Sequence, residues 1–185
     1  SKVIMVVANL TPVKGIEYLI DAFSLISDEE KSLYLVIVGD DDNDYAQKLK
    51  NIVREKNNSD RILFLGKRHD ISCLLKLAYI FVLPTLDKYR KEGSPVALLE
   101  AMASGVPSLA SDVPGSRDIL SNHPDQLFLP EDISALRAKL NWLLKLDRKK
   151  RKQLIQDQLE IIRDNYSIER EVIEHEIVYS KCLNL

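Results

Sequence analysis

The sequence predicts an α/β fold, a Rossmann-like doubly wound parallel sheet of about six strands closed by C-terminal helices. Short runs of apolar, often β-branched residues alternate with helical stretches along most of the chain. Most of those runs are apolar at successive positions, the pattern of strands covered on both faces. Beyond Pro130 the alternation stops and only helical spacing remains. Strand–helix–strand units of this kind cross over right-handed and build an open parallel sheet.

The strands are expected at residues 3–8, 33–38, 62–65, 79–83, 107–110 and 126–129. Gly39 and Gly66 close two of them and Pro84 closes another. Helices are expected at 16–26 and 45–56. Past Pro130, Ile133, Leu136, Leu140 and Leu143 share one helical face, as do Ile155, Leu159 and Ile162. Ser167 can cap a last helix carrying Ile168, Val172 and Tyr179. The basic run at 148–152 reads as a solvated helix start, with a membrane-surface patch as the alternative. The whole chain, 1–185, reads as one domain.

The chain has 185 residues, 45% hydrophobic content and a formal charge of −2, enough for one sizeable core and without a basic field for nucleic acid. Cys73 and Cys182 have neither disulfide-framework nor metal-ligand spacing, and read as thiols of a reducing cytosol. None of His69, His123 and His175 has a partner at ligand spacing, so no metal site is expected. The acidic stretch Asp40-Asp41-Asp42-Asn43-Asp44 lacks the twelve-position calcium loop and reads as a helix-capping turn. No apolar run approaches the ~20 residues of a membrane span, and no leader is expected ahead of Val3.

Ligands of open parallel sheets bind beyond the carboxyl ends of the strands. After the fourth strand comes Lys91-Glu92-Gly93-Ser94-Pro95-Val96-Ala97-Leu98-Leu99-Glu100-Ala101-Met102-Ala103-Ser104-Gly105-Val106-Pro107. Ser94 suits an N-cap and Pro95 the first helical position, so the free N–H groups of that turn form an anion site. Glu92 stands at its mouth and Glu100 about one and a half turns into the helix. A nucleoside diphosphate sugar, with negative charge in its middle and hydroxyls at both ends, fits all three features. Taken alone, the two glutamates read first as solvated charges at a helix edge.

The string as a whole resembles the E-x7-E motif of retaining GT-B glycosyltransferases, especially glycosyltransferase family 4. The loop Asn9-Leu10-Thr11-Pro12-Val13-Lys14-Gly15 resembles the family's Gly-Arg-Leu-x-x-x-Lys-Gly segment, with Lys14 and Gly15 matching. Asn9 stands where Arg is usual and Ala8 where Gly is usual. Gly66-Lys67-Arg68-His69-Asp70 resembles the family's base-recognition turn, and Asp112-Val113-Pro114-Gly115-Ser116 its Asp-x-x-Gly turn.

The resemblance runs over nearly the whole chain and covers half of a two-domain enzyme, the C-terminal, donor-binding half. It implies transfer of a hexosyl group from a nucleoside diphosphate sugar to a glycan or lipid-linked acceptor, as in polysaccharide biosynthesis. No cofactor is implied besides that donor substrate. Lys14 and Glu92 would be catalytic. Asn9, Gly15, Arg68, Gly93, Ser94, Pro95, Val96, Ala97 and Glu100 would bind substrate. Glu92 would hold the donor sugar, Glu100 the ribose, and Lys14 with the N–H groups after Gly93 the diphosphate. The acceptor site would lie on a missing N-terminal domain, to which the helix at 166–185 would cross back. A cytoplasmic location, including the inner face of the membrane, goes with this reading. The alternative is a non-catalytic nucleotide-sugar-binding module, or a half-enzyme that needs a partner chain.

Overall fold

The computed structural model describes residues 1–88 and 95–183. Strands and helices alternate as β1 (Lys2–Val7), α1 (Ile16–Ser27), β2 (Leu33–Val38), α2 (Asp44–Arg54), β3 (Ile62–Phe64), α3 (Ile71–Leu75) and β4 (Ile80–Leu83). They continue as α4 (Val96–Ala103), β5 (Ser108–Ser111), α5 (Pro114–Ile119) and β6 (Leu127–Phe128). Three helices end the chain, α6 (Ile133–Lys145), α7 (Arg148–Asn165) and α8 (Ile168–Cys182). The six strands pair in the order β3-β2-β1-β4-β5-β6, and every pairing is parallel.

Successive side chains of a strand point to opposite faces, so a continuous apolar run feeds two cores. Ile4, Val6, Leu35, Ile37, Ile80 and Val82 join the layer filled by α1, α2 and α6. Met5, Val36, Val38, Phe81 and Leu83 join the opposite layer, with Leu98 and Met102 of α4 and Ile119 of α5. Helices therefore cover both faces of the sheet.

Three expectations change at the margins. β3 is an edge strand, and Leu63 and Leu65 remain 44% and 38% exposed, because a continuous apolar run does not say whether both faces are covered. In α7 the buried side chains are Leu154 and Gln158, one position before Ile155 and Leu159. Arg151, in the basic run, is not solvated: its guanidinium stacks 3.6 Å from the Tyr79 ring centroid and donates to the Tyr79 carbonyl. The aromatic face attracts the cation, and a guanidinium, being weakly hydrated, is cheaper to desolvate than an ammonium.

The capping expectations hold at α2 and α8, and Asp147 adds a cap at α7. Asn43 accepts from Ala46 N at 2.9 Å, Asp147 from Lys150 N at 2.8 Å and Ser167 from Arg170 N at 3.3 Å. The acidic stretch is thus a cap, with Asp41 paired to Lys50 at 2.7 Å. α8 buries none of its residues. Among the described residues no helix is long and apolar enough to cross a membrane.

Candidate functional site

Strand order reverses between β1 and β4, which pair side by side while β2 lies on the other flank of β1. The loops leaving β1 and β4 therefore part in opposite directions and open a crevice, the usual ligand position in such sheets. A cavity of about 520 Å³ occupies that crevice. The ends of β1, β2 and β4 supply its floor through Val7, Val38 and Leu83. Ala8 and Asn9 bound it on one side, Lys67, Arg68 and Ile71 on another, and Pro95, Val96, Ala97 and Glu100 on a third.

Glycine allows these loops to approach one another. A Cβ on Gly39 would lie 1.9 Å from the Ala8 carbonyl, so the exit from β1 can cross the exit from β2 only over glycine. Gly39 N donates to Gly66 O at 3.1 Å, which ties the third loop in as well. Gly15 has φ +59, and its Cβ would meet the Pro84 carbonyl at 2.3 Å. Glycine enters the left-handed region without steric cost. Gly15 does not line the cavity. It serves the site by seating the first loop against the loop after β4, where Leu86 N donates to Val13 O at 2.8 Å.

Lys14 ends the 3-10 turn Pro12–Lys14 just before α1 and faces the cavity. α4 starts one residue later than its sequence suggests: Pro95 is the N-cap rather than the first helical residue, and its carbonyl accepts from Leu98 N at 2.9 Å. No described side chain caps that end. Val96 and Ala97, in the first turn where free N–H groups carry the positive end of the helix dipole, line the cavity. Glu100 lies one turn on, about 6 Å along the axis and nearer the helix start than expected, on the same face as Val96 and Ala97. Glu92, Gly93 and Ser94 lie outside the described residues.

The described lining carries three cations, Lys14, Lys67 and Arg68, and two carboxylates, Asp40 and Glu100. Arg68 is not a loose fork. Its Nε and Nη2 donate to Asp70 at 2.9 and 2.7 Å, and the guanidinium holds the Asp70 carboxyl below the usual carboxylate range. Two of its five N–H donors are thus engaged, while its flat face and Nη1 keep no partner among the described residues. Lys67 and Asp40 are additions to the site residues expected from the sequence, which gives Asp40 only a capping turn. Their places in the loops that follow β3 and β2 are the signal that assigns both to the rim. Among the described residues no group of three or more His, Cys, Asp or Glu could hold a metal ion.

Comparison with known proteins agrees with this geometry. Residues 1–160 match the family model described as glycosyl transferases group 1. Over 149 residues the chain is 32% identical to the UDP-Gal:alpha-D-GlcNAc-diphosphoundecaprenol alpha-1,3-galactosyltransferase of Escherichia coli, covering 79% of this chain and 36% of that protein. It is 28% identical over 186 residues to N-acetyl-alpha-D-glucosaminyl L-malate synthase of Bacillus anthracis, covering 99% of this chain and 46% of the relative. A solved glycosyltransferase from Rickettsia africae ESF-5 superposes with a TM-score of 0.89 at 19% identity, over 98% of this chain and 48% of that one. The chain thus spans less than half the length of these relatives, and its fold is that of a GT-B C-terminal domain.

Proposed function

The chain belongs to the glycosyl transferases group 1 family, and from that premise we propose that it is the donor-binding domain of a retaining hexosyltransferase. Its donor is a nucleoside diphosphate sugar, and its acceptor a glycan or lipid-linked saccharide. The observation that carries this reading is the cavity at the strand-order reversal, where Lys14, the start of α4 and Glu100 converge. Its volume of about 520 Å³ falls within the range of roughly 300–1,000 Å³ usual for small-molecule sites.

Cleavage of the bond between the anomeric carbon and the diphosphate builds negative charge on the leaving group. Catalysis then requires positive groups already aimed at it. Lys14 supplies a point charge, and the N–H groups of Val96 and Ala97 supply a fixed dipole. Glu100 accepts hydrogen bonds from the ribose, and Glu92 takes the donor sugar. Arg68 offers its planar face to the base, with Asp70 fixing its tilt. The acceptor site lies on a second, N-terminal domain, and α8 returns to that domain. The enzyme works in the cytoplasm, at the inner face of the membrane where its acceptor is lipid-linked.

A second reading, a nucleotide-sugar-binding module without catalytic turnover, is favoured by Asn9. It stands on the cavity wall where the family usually has an arginine, and an amide brings no charge to a diphosphate. Calorimetry against UDP, GDP and ADP sugars, followed by turnover assays with the chain alone and joined to an N-terminal domain, separates the readings. The enzyme reading expects weak binding by the chain, no transfer alone and transfer when joined. Failure of every nucleotide to bind would contradict both.

A further inference from the structure

Glu131 is the one described residue other than glycine with a positive φ, at +63°. A side chain held in the left-handed region costs conformational energy and persists when its surroundings over-determine it. It follows Pro130, after β6, and precedes Asp132, whose carboxylate caps α6 by accepting from Ala135 N at 2.8 Å. Its Oε1 accepts from two distant partners, Tyr18 OH at 2.7 Å and Lys88 Nζ at 2.6 Å. Those partners sit in the first turn of α1, just after the cavity-lining Lys14, and on the stretch that leaves β4.

Tyr18 lies in the first turn of α1, and its N–H bonds the Gly15 carbonyl at 3.1 Å, directly behind Lys14. Lys88 lies on the loop after β4, two residues past Leu86, whose N–H bonds Val13. In sequence Lys88 precedes Glu92 by four positions. One carboxylate at the entry to α6 therefore ties the first turn of α1 and the stretch after β4 together, on either side of the Pro12–Lys14 turn. The charges agree with this: Lys88 first and Tyr18 second hold the Glu131 carboxyl below its usual range. The Tyr18 phenol is pushed up to about 12, chiefly by its hydrogen bond to Glu131.

We propose that Glu131 is a positioning residue, a strained brace that acts through Tyr18 and through residues 84–88, which bond Val13, to hold Lys14 where it meets the donor diphosphate. This rests on the donor-site reading above. Glycine at 131 would relieve the backbone and release Tyr18 and Lys88, so fold stability and ligand affinity should part company. A merely structural residue would lose both together.

The test is calorimetric titration of UDP, GDP and ADP, and of the matching nucleosides, into the 185-residue chain and three variants, with thermal melts of each. Glu131→Gly should melt within about 3 °C of the parent or above it, a shift worth roughly 1 kcal/mol or less at this chain length. It should bind the best diphosphate at least fivefold more weakly, with nucleoside affinity changed less than twofold. Tyr18→Phe should lose part of that affinity. Glu131→Gln, which can still accept from the Tyr18 hydroxyl, should recover part of it. Three results would overturn the brace: unchanged diphosphate affinity in Glu131→Gly, equal loss for nucleosides and diphosphates, or a melt lowered by more than about 5 °C together with the affinity. Should the parent bind none of the three nucleotides, the donor-site reading fails first, and the brace with it.

Discussion

Helices α1 and α8 are both built with apolar residues at helical spacing, yet they end in opposite environments. α1 buries Ile16, Leu19, Ile20, Phe23 and Ile26 against the sheet and α6. α8 buries nothing, and Ile168, Val172, Ile173, Ile177, Val178 and Tyr179 stay between 48% and 76% exposed. Amphipathic spacing therefore says that a helix wants a partner surface without saying that the same chain supplies it. In the proposed two-domain arrangement that surface belongs to the N-terminal domain. The proposed donor rim stands on the α1 side of this contrast, with Lys14 two residues before that buried helix.

The widest separation between the two regions should come from truncating one apolar side chain in each. Phe23→Ala is expected to cost about 3–5 kcal/mol, since Phe23 is fully buried. Ile173→Ala, at an exposed position, should stay within ~0.5 kcal/mol. Urea unfolding of both variants checks this, and equal losses would mean that α8 is packed after all.

Next in size is the rim itself. Glu100→Ala should weaken nucleoside diphosphate binding by about 1.5–3 kcal/mol, the range for a hydrogen bond to a charged group. Lys14→Ala should act in the same direction, with a larger effect on diphosphates than on nucleosides. Both are read by calorimetry, and melting temperatures should hardly move, because both side chains face the cavity rather than the core.

Asn9→Arg should act oppositely. A planar, charged fork beside Lys14 is expected to tighten diphosphate binding by roughly 1–3 kcal/mol. A gain of equal size for plain nucleosides would place the new side chain away from the phosphates. The smallest effect should follow removal of α8 by a stop after Tyr166. Affinity for nucleoside diphosphates should stay within about twofold, because no residue of α8 lines the cavity.

The contrast between α1 and α8 also marks how far the sequence could be read. The strands and their alternation were legible, because apolar runs and glycine or proline stops are local signals. So was the rim, once topology placed the segments after β1, β3 and β4 on one edge. Asn9, Lys14, Arg68, Pro95, Val96, Ala97 and Glu100 do meet at one cavity. The steric duty of Gly15 was not legible, since it depends on Pro84, far away in sequence. Neither was the pairing of Arg68 with Asp70, which a rotamer decides, nor the stacking of Arg151 on Tyr79. Glu131 left no local signal, as its conformation is held by partners distant in sequence. The exposure of α8 is a different case: spacing predicts only its apolar face, and it was the family resemblance, which sends this helix across to another domain, that implied the face would be left uncovered here.

The central claim is that the crevice between the loops of β1 and β4 receives the donor nucleotide. Heteronuclear NMR of the labelled chain, titrated with UDP, GDP and ADP, tests it most directly. The account predicts saturable shifts for at least one of them, concentrated at Asn9, Lys14, Arg68, Val96, Ala97 and Glu100, with α8 unmoved. Shifts centred elsewhere, such as on the surface around His123 and Trp142, or none from any of the three nucleotides, would contradict it.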